Sequence, residues 1–291
     1  MRRCPLQRIV EQRGGGLHTG IVPKLMSNGW FGIVPFGLAP TSTFNAGVGA
    51  CCDPGCGIQN VSDPAGVSCC EGVTKPKNPS SNATAWECDW NVDRTAGGAN
   101  DTQFLTHVAE WAATNLPGLD PARIYATGMS AGAMMVERLG CDAPGPFAAL
   151  APVEGDLMDD STCEPAPTKP VPWLGFCGSL DFVCQVMGTT FSKTVKGWAV
   201  RNGCDMSKAP STSMKTNTTE CRTYHGCTEE VQACNVRGMP HEWPGHPAPG
   251  QKPQKPGNID ATQYILEFFA NGSSHSSSGS SSSSSSRLYP E

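Results

Sequence analysis

The chain has 291 residues, 38% of them hydrophobic, which is enough for one sizeable core and, by length alone, one or two domains. Only 16% are charged and the net charge is −5, so no basic excess points to nucleic acid. No run of about 18 apolar residues points to a membrane span.

Cysteine is the strongest compositional signal, at 15 residues. Paired C-x-x-C knuckles or Cys/His sets would indicate zinc, but the spacings here are irregular and the histidines lie elsewhere. Disulfides and an oxidising, extracellular location are therefore expected. The odd count leaves one thiol over, and Cys4, which stands alone, is the candidate. Sequons at Asn60, Asn82, Asn100, Asn217 and Asn271 agree with secretion, although the start of the chain shows no apolar leader.

In chain order, residues 1–28 are basic, then Gly-rich, and show no sustained period, so an irregular or incomplete segment is expected there. W-F-G-I-V-P-F at 30–36 predicts a buried strand, apolar on both faces. Residues 45–98, rich in Cys, Gly and Pro, read as a disulfide-pinned excursion within a catalytic domain spanning 29–271. A helix follows from Asp101, with Phe104, Leu105, Val108, Trp111 and Ala112 on one face and His107 at its surface. Residues 123–127 read as a strand and 131–139 as a helix ended by Gly140. Two buried strands are predicted at 147–153 and 171–177, then an amphipathic helix over 189–202 with Phe191, Val195, Trp198 and Ala199 inward. Residues 221–226 and 230–236 suggest paired strands. Asp260 and Gln263 resemble a capping box for a last helix with Tyr264, Ile265, Phe268 and Phe269 on its apolar face. From 272 a Ser-rich tail cannot bury anything. Strands alternating with helices predict an α/β fold with a mostly parallel sheet.

Gly128-Met129-Ser130-Ala131-Gly132 matches G-x-S-x-G between a predicted strand and a predicted helix. That pattern makes a sharp turn in which both glycines permit close backbone approach and the serine is raised at the end of the sheet. Ser130 is the candidate nucleophile. The backbone N–H of Ala131 would face a developing oxyanion at the helix N-terminus.

A serine needs a base, and the base needs an orienting acid. Asp181, in G-S-L-D-F-V-C just past the strand at 171–177, is the candidate acid, with Cys177 and Cys184 placed to pin its loop. Asp156, Asp159 and Asp160 compete but follow the preceding strand. In G-M-P-H-E-W-P-G-H the base is His241, close after the predicted strand, or His246, between Gly/Pro turns; position favours His241. His225 reads as a hairpin residue, and His18 and His275 lie in poorly structured ends. Met129 and Trp243 are the residues expected to bind substrate; the other tryptophans read as core.

The blocks D-P-A-R-I-Y-A-T-G-M-S-A-G-A-M-M, F-A-A-L-A-P-V, G-S-L-D-F-V, W-A-V-R-N-G-C, C-R-T-Y and H-E-W-P-G run in this order over roughly residues 98–270. Together they resemble the secreted polyhydroxybutyrate depolymerase and feruloyl/acetylxylan esterase family. The resemblance implies an α/β-hydrolase-like sheet, a serine esterase or depolymerase, and a triad falling on Ser130, Asp181 and His241. It implies an ester substrate, either a polyester or a plant cell-wall ester, for a monomeric enzyme with no cofactor and no metal. The alternative is an impaired hydrolase scaffold used for binding. The chain departs from the family pattern in two places. No apolar strand ending in H-G-G precedes the region of Trp30, so a second oxyanion donor is not identified, and losing one such donor costs about 10²–10³ in rate. Pro240 stands where a glycine is usual. From proximity and the resemblance, the expected bridges are Cys204–Cys221, Cys227–Cys234, Cys177–Cys184 and Cys141–Cys163.

Overall fold

The computed structural model describes residues 19–35, 101–142, 145–156, 169–186, 190–246 and 259–272. The expected Cys-rich excursion, Cys4, Cys163, Asp159, Asp160, His18, His275, the Ser-rich tail and the sequons at Asn60, Asn82 and Asn100 lie outside these residues. Asn217 and Asn271 lie within them, and both are exposed.

The elements in chain order are α1 (Ile21–Ser27), α2 (Asp101–Asn115), β1 (Ile124–Met129), α3 (Ala131–Asp142), β2 (Phe147–Val153), β3 (Trp173–Gly178), α4 (Phe182–Val186), α5 (Phe191–Arg201), β4 (Ser211–Lys215), β5 (Thr219–Thr223), β6 (Val231–Val236) and α6 (Ala261–Gly272). The strands form one sheet in the order β1-β2-β3-β6-β5-β4. The pairs β1–β2, β2–β3 and β3–β6 are parallel, while β5 and β4 add antiparallel at one side. This is an α/β architecture with the expected mostly parallel, helix-flanked sheet.

Each face of the sheet buries a different set of helices. On one face Met134, Met135 and Leu139 of α3 and Val195, Trp198 and Ala199 of α5 pack with Leu150 and Trp173. On the other, Ile265, Phe268 and Phe269 of α6 pack with Ala149, Ala151, Val153, Leu174, Phe176 and Val236. Strands buried on both faces explain the near-continuous apolar runs at 147–153 and 173–178. Asp260 caps α6 by accepting the Gln263 N–H at 3.0 Å.

Several expectations need correction. Residues 30–35 form no strand, and Phe31, Ile33 and Val34 are 41–52% exposed. Only Trp30 docks, its ring 5.3 Å from that of Tyr125 and 6.5 Å from that of Phe269. The segment read as irregular carries α1, which Lys24 ties to α6 through Asp260 at 2.6 Å. In α2 the buried side chains are Thr102, Ala109 and Ala112, while Phe104 and Trp111 are exposed at 46% and 57%. The helix is rotated from the face its largest side chains suggested, because its small residues allow closer approach to the body of the protein. Gly140 does not end α3; it is the contact that lets Leu150 and Trp198 press against the helix.

Two of the expected bridges are also wrong. Between described residues the disulfides are Cys177–Cys184, Cys204–Cys227 and Cys221–Cys234. Sheet register decides the pairing, since Cys221 of β5 lies directly opposite Cys234 of β6. Cys204 then meets Cys227, where Asp205 N–H also donates to the His225 carbonyl at 2.8 Å. Cys141 is disulfide-bonded, and its expected partner Cys163 lies outside the described residues.

Candidate active site

Ser130, Asp181 and His241 follow the carboxyl ends of β1, β3 and β6, all parallel strands of one sheet. In open α/β sheets that edge is where ligands bind.

Ser130 sits between β1 and α3 with φ of 57°, in the left-handed region that a non-glycine residue seldom occupies. Its N–H donates to the Val153 carbonyl at 3.0 Å, and its carbonyl accepts the Met134 N–H at 3.0 Å, the first bond of α3. A reversal this tight needs Gly128: a side chain there would come within 2.7 Å of the Gly132 carbonyl. Gly132 itself has open space where its side chain would be, so only the first glycine of the pair is sterically required. Ala131 begins α3, where backbone N–H groups lack intrahelical acceptors and the helix end favours negative charge.

Asp181 is 1% exposed and sits in the turn between β3 and α4. Its Oδ1 accepts the Val183 N–H at 2.7 Å, and its Oδ2 lies 2.8 Å from Nδ1 of His241. Burial works to raise its pKa, but hydrogen bonds from His241, Glu154 and Val183, with the His241 charge, prevail and hold the carboxyl below its ordinary value. The Cys177–Cys184 disulfide closes this turn.

The histidine loop is held against the acid loop by hydrogen bonds that main-chain N–H groups donate. Leu180 N–H donates to the Met239 carbonyl at 3.0 Å, and Gly238 N–H donates to Ser179 Oγ at 2.7 Å. His241 keeps a third of its side chain exposed, unlike its partner. His246 instead packs under Gly20 with its ring near Asp260, and its N–H donates to the Trp243 carbonyl at 3.0 Å. His225 lies in the turn before β6 and His107 on the outer surface of α2, both away from these loops in sequence and fold.

Trp243 and Met129, expected at the substrate, are core side chains, 3% and 6% exposed. The Trp243 indole donates to Thr262 Oγ1 at 2.9 Å and so anchors the histidine loop on α6. Asp156 is also buried, and its carboxyl is pushed up to about 9, first by burial and then by the Glu137 charge. Glu137 accepts the indole N–H groups of Trp173 and Trp198, yet burial still pushes it up to about 8.

One residue of this region escaped the sequence reading. Glu154 follows β2, is fully buried, and has φ of 54°. Its Oε2 accepts the Gly178 N–H at 2.9 Å. The only signal for it was a charged residue, followed by glycine, at the end of an apolar run.

Two groups of side chains among the described residues have metal-ligand proximity: Glu154 with Cys177 and Cys184, and Glu154 with Asp181 and His241. The first includes disulfide sulfurs, which offer no thiolate. In the second, His241 Nδ1 already lies in contact with Asp181. No helix among the described residues is long and apolar enough to cross a membrane.

No family model matches the chain. It is 31% identical over 172 residues to feruloyl esterase B of Piromyces equi, covering 52% of this chain and 31% of that protein. It is 27% identical over 239 residues to the putative esterase NocK of Nocardia uniformis subsp. tsuyamanensis, covering 72% of this chain and 65% of that one. The chain thus spans less than two thirds of the length of either relative. Among solved structures, acetyl xylan esterase from Aspergillus awamori overlaps 58% of this chain and 67% of its own, at 18% identity and a TM-score of 0.41. Esterase PE8 overlaps 62% and 66%, at 22% identity and a TM-score of 0.38. The chain is thus similar in sequence to two esterases, each over part of its length, and it carries a mostly parallel, helix-flanked sheet.

Proposed function

We propose that the protein is a secreted serine carboxylester hydrolase working through an acyl-enzyme. The observation that carries this reading is the 2.8 Å contact between Asp181 Oδ2 and His241 Nδ1, at the same sheet edge as a serine held at φ of 57°. Ser130 Oγ attacks the ester carbonyl while His241 Nε2 takes its proton. Asp181 holds the Nδ1 proton and so fixes the ring in the tautomer whose Nε2 is free to accept. The tetrahedral oxyanion is met by the Ala131 N–H at the start of α3, and a second donor is unassigned among the described residues. Collapse of the intermediate expels the alcohol with the proton from His241. Water, deprotonated by the same ring, then releases the acid and restores Ser130.

For the substrate, 31% identity to feruloyl esterase B supports an aromatic cell-wall ester. Polyesters and acetylated xylan are the other classes implied by the sequence resemblance. Product release from methyl ferulate, polyhydroxybutyrate and acetylxylan, measured side by side, decides among them; ferulate is expected to be released fastest. Labelling by a fluorophosphonate separates the enzyme from a scaffold that only binds, because a dead site leaves the probe unreacted. Disulfides such as Cys177–Cys184, Cys204–Cys227 and Cys221–Cys234 suit an oxidising compartment, which supports secretion.

A further inference from the structure

Val153, Glu154 and Gly155 touch both halves of the site. The Val153 carbonyl accepts the Ser130 N–H, and a side chain on Gly155 would come within 2.6 Å of the Ser130 carbonyl. Between them Glu154 turns the other way. Its left-handed backbone, which a non-glycine residue seldom adopts, aims the carboxyl inward at the end of β3. There Oε2 takes the Gly178 N–H, two residues after Phe176, whose carbonyl accepts the Glu154 N–H at 2.9 Å.

The other oxygen, Oε1, is buried and meets no N–H or hydroxyl donor among the described residues. The carboxyl of Glu154 neighbours that of Asp181: one oxygen of each and a ring nitrogen of His241 all lie within 4.8 Å of one another. Two buried carboxylates cannot sit side by side as bare acceptors. A proton between them turns the repulsion into a hydrogen bond.

We propose that Glu154 is a positioning residue for the catalytic base, carrying a proton at neutral pH and donating it in a hydrogen bond to the Asp181 carboxylate. This rests on the reading of Asp181 and His241 given above. Glu154 then stabilises the ionised form of Asp181 from behind, while His241 does so from the front. The groups facing Glu154 are consistent with this division. Asp181 comes from the loop after β3 and His241 from the loop after β6, while Asp156 approaches from Glu154's own loop, and Cys177–Cys184 does not titrate. Burial, then the bond with Asp181 and the charges of Asp181 and Asp156, hold the Glu154 carboxyl well above the usual carboxylate range, against the pull of the Gly178 N–H. The same network holds Asp181 below it.

The test uses Glu154→Gln and Glu154→Leu in the full chain. Gln keeps a neutral donor and an acceptor, whereas Leu keeps neither. At pH 7 the infrared difference between wild type and E154Q is expected to show loss of one protonated-carboxyl stretch. Ester turnover is expected to stay within about threefold in E154Q. In E154L, kcat should fall about tenfold or more at near-constant KM, with the acid limb of the pH–rate profile moved to higher pH. An unchanged protonated-carboxyl band in E154Q, or a wild-type pH profile and kcat in E154L, overturns the proposal. The infrared band is read without turnover, so a protein that hydrolyses no ester would count against the esterase reading and leave the Glu154 proton still decided.

Discussion

The carbonyl oxygen of Met239 lies so close to Gly178 that a side chain on Gly178 would come within 2.3 Å of it, and within 3.2 Å of the Pro240 carbonyl. The loop carrying His241 is seated directly on the end of β3, and the glycine of G-S-L-D is the space it occupies. Gly178→Ala should therefore push that loop off Asp181. Overpacking of this kind costs about 1–3 kcal/mol, and a displacement of about 1 Å in a reacting group can cost 10²-fold in rate. Thermal unfolding and kcat for a p-nitrophenyl ester check both effects, and kcat is expected to fall further than stability alone explains.

The two glycines of G-M-S-A-G should behave differently. Gly128→Ala drives a methyl group into the Gly132 backbone at 2.7 Å and should leave little folded, active protein. Gly132→Ala enters open space in the first turn of α3, where alanine is the better helix former by about 1 kcal/mol. Its Tm should equal or exceed that of wild type. Parallel melting curves of the two variants make the comparison.

This asymmetry marks where sequence reading stops. Ser130 was legible because a strand, a sharp turn and a helix each leave a local trace around it. Asp181 and His241 were legible because each closely follows a buried run. Whether Gly132 needs to be glycine depends on which way its Cα points, and no pattern states that. On α2, Leu105 and Ala112 face the core as expected, but Phe104 and Trp111 do not, and the small Ala109, which an apolar count passes over, is buried in their place. Two of the expected bridges fail because they paired neighbours in sequence, while the β5–β6 register sets Cys221 opposite Cys234; Cys177–Cys184 forms as expected. β4, S-T-S-M-K, is an exposed outer strand with almost no apolar alternation to find. Glu154 was invisible because its partners come from other strands.

The Cys177–Cys184 bridge closes the loop that presents Asp181. Cys177→Ser with Cys184→Ser should cost about 2 kcal/mol of stability. On the proposed mechanism it should also lower kcat more than it changes KM, since Asp181 would orient the base without gripping the substrate. Denaturant unfolding and steady-state kinetics of the double variant provide the test.

Glu137 should make stability depend on pH. Its folded carboxyl is pushed up to about 8 from an ordinary 4.5, so the folded state holds a proton that the unfolded chain releases. Stability attributable to this group is therefore intact below about pH 4.5 and declines as pH rises toward 8. Glu137→Gln removes the titration. The difference in Tm between E137Q and wild type should grow in favour of the variant across that window, and a constant difference would contradict it.

The proposed function stands or falls with Ser130 as the nucleophile of an ester hydrolase. The most direct measurement is hydrolysis of a p-nitrophenyl acyl ester by wild type and by Ser130→Ala, with both proteins shown to be folded by their melting curves. Wild type is expected to turn the ester over, and the variant to have lost that turnover. Turnover by S130A at the wild-type rate would contradict it.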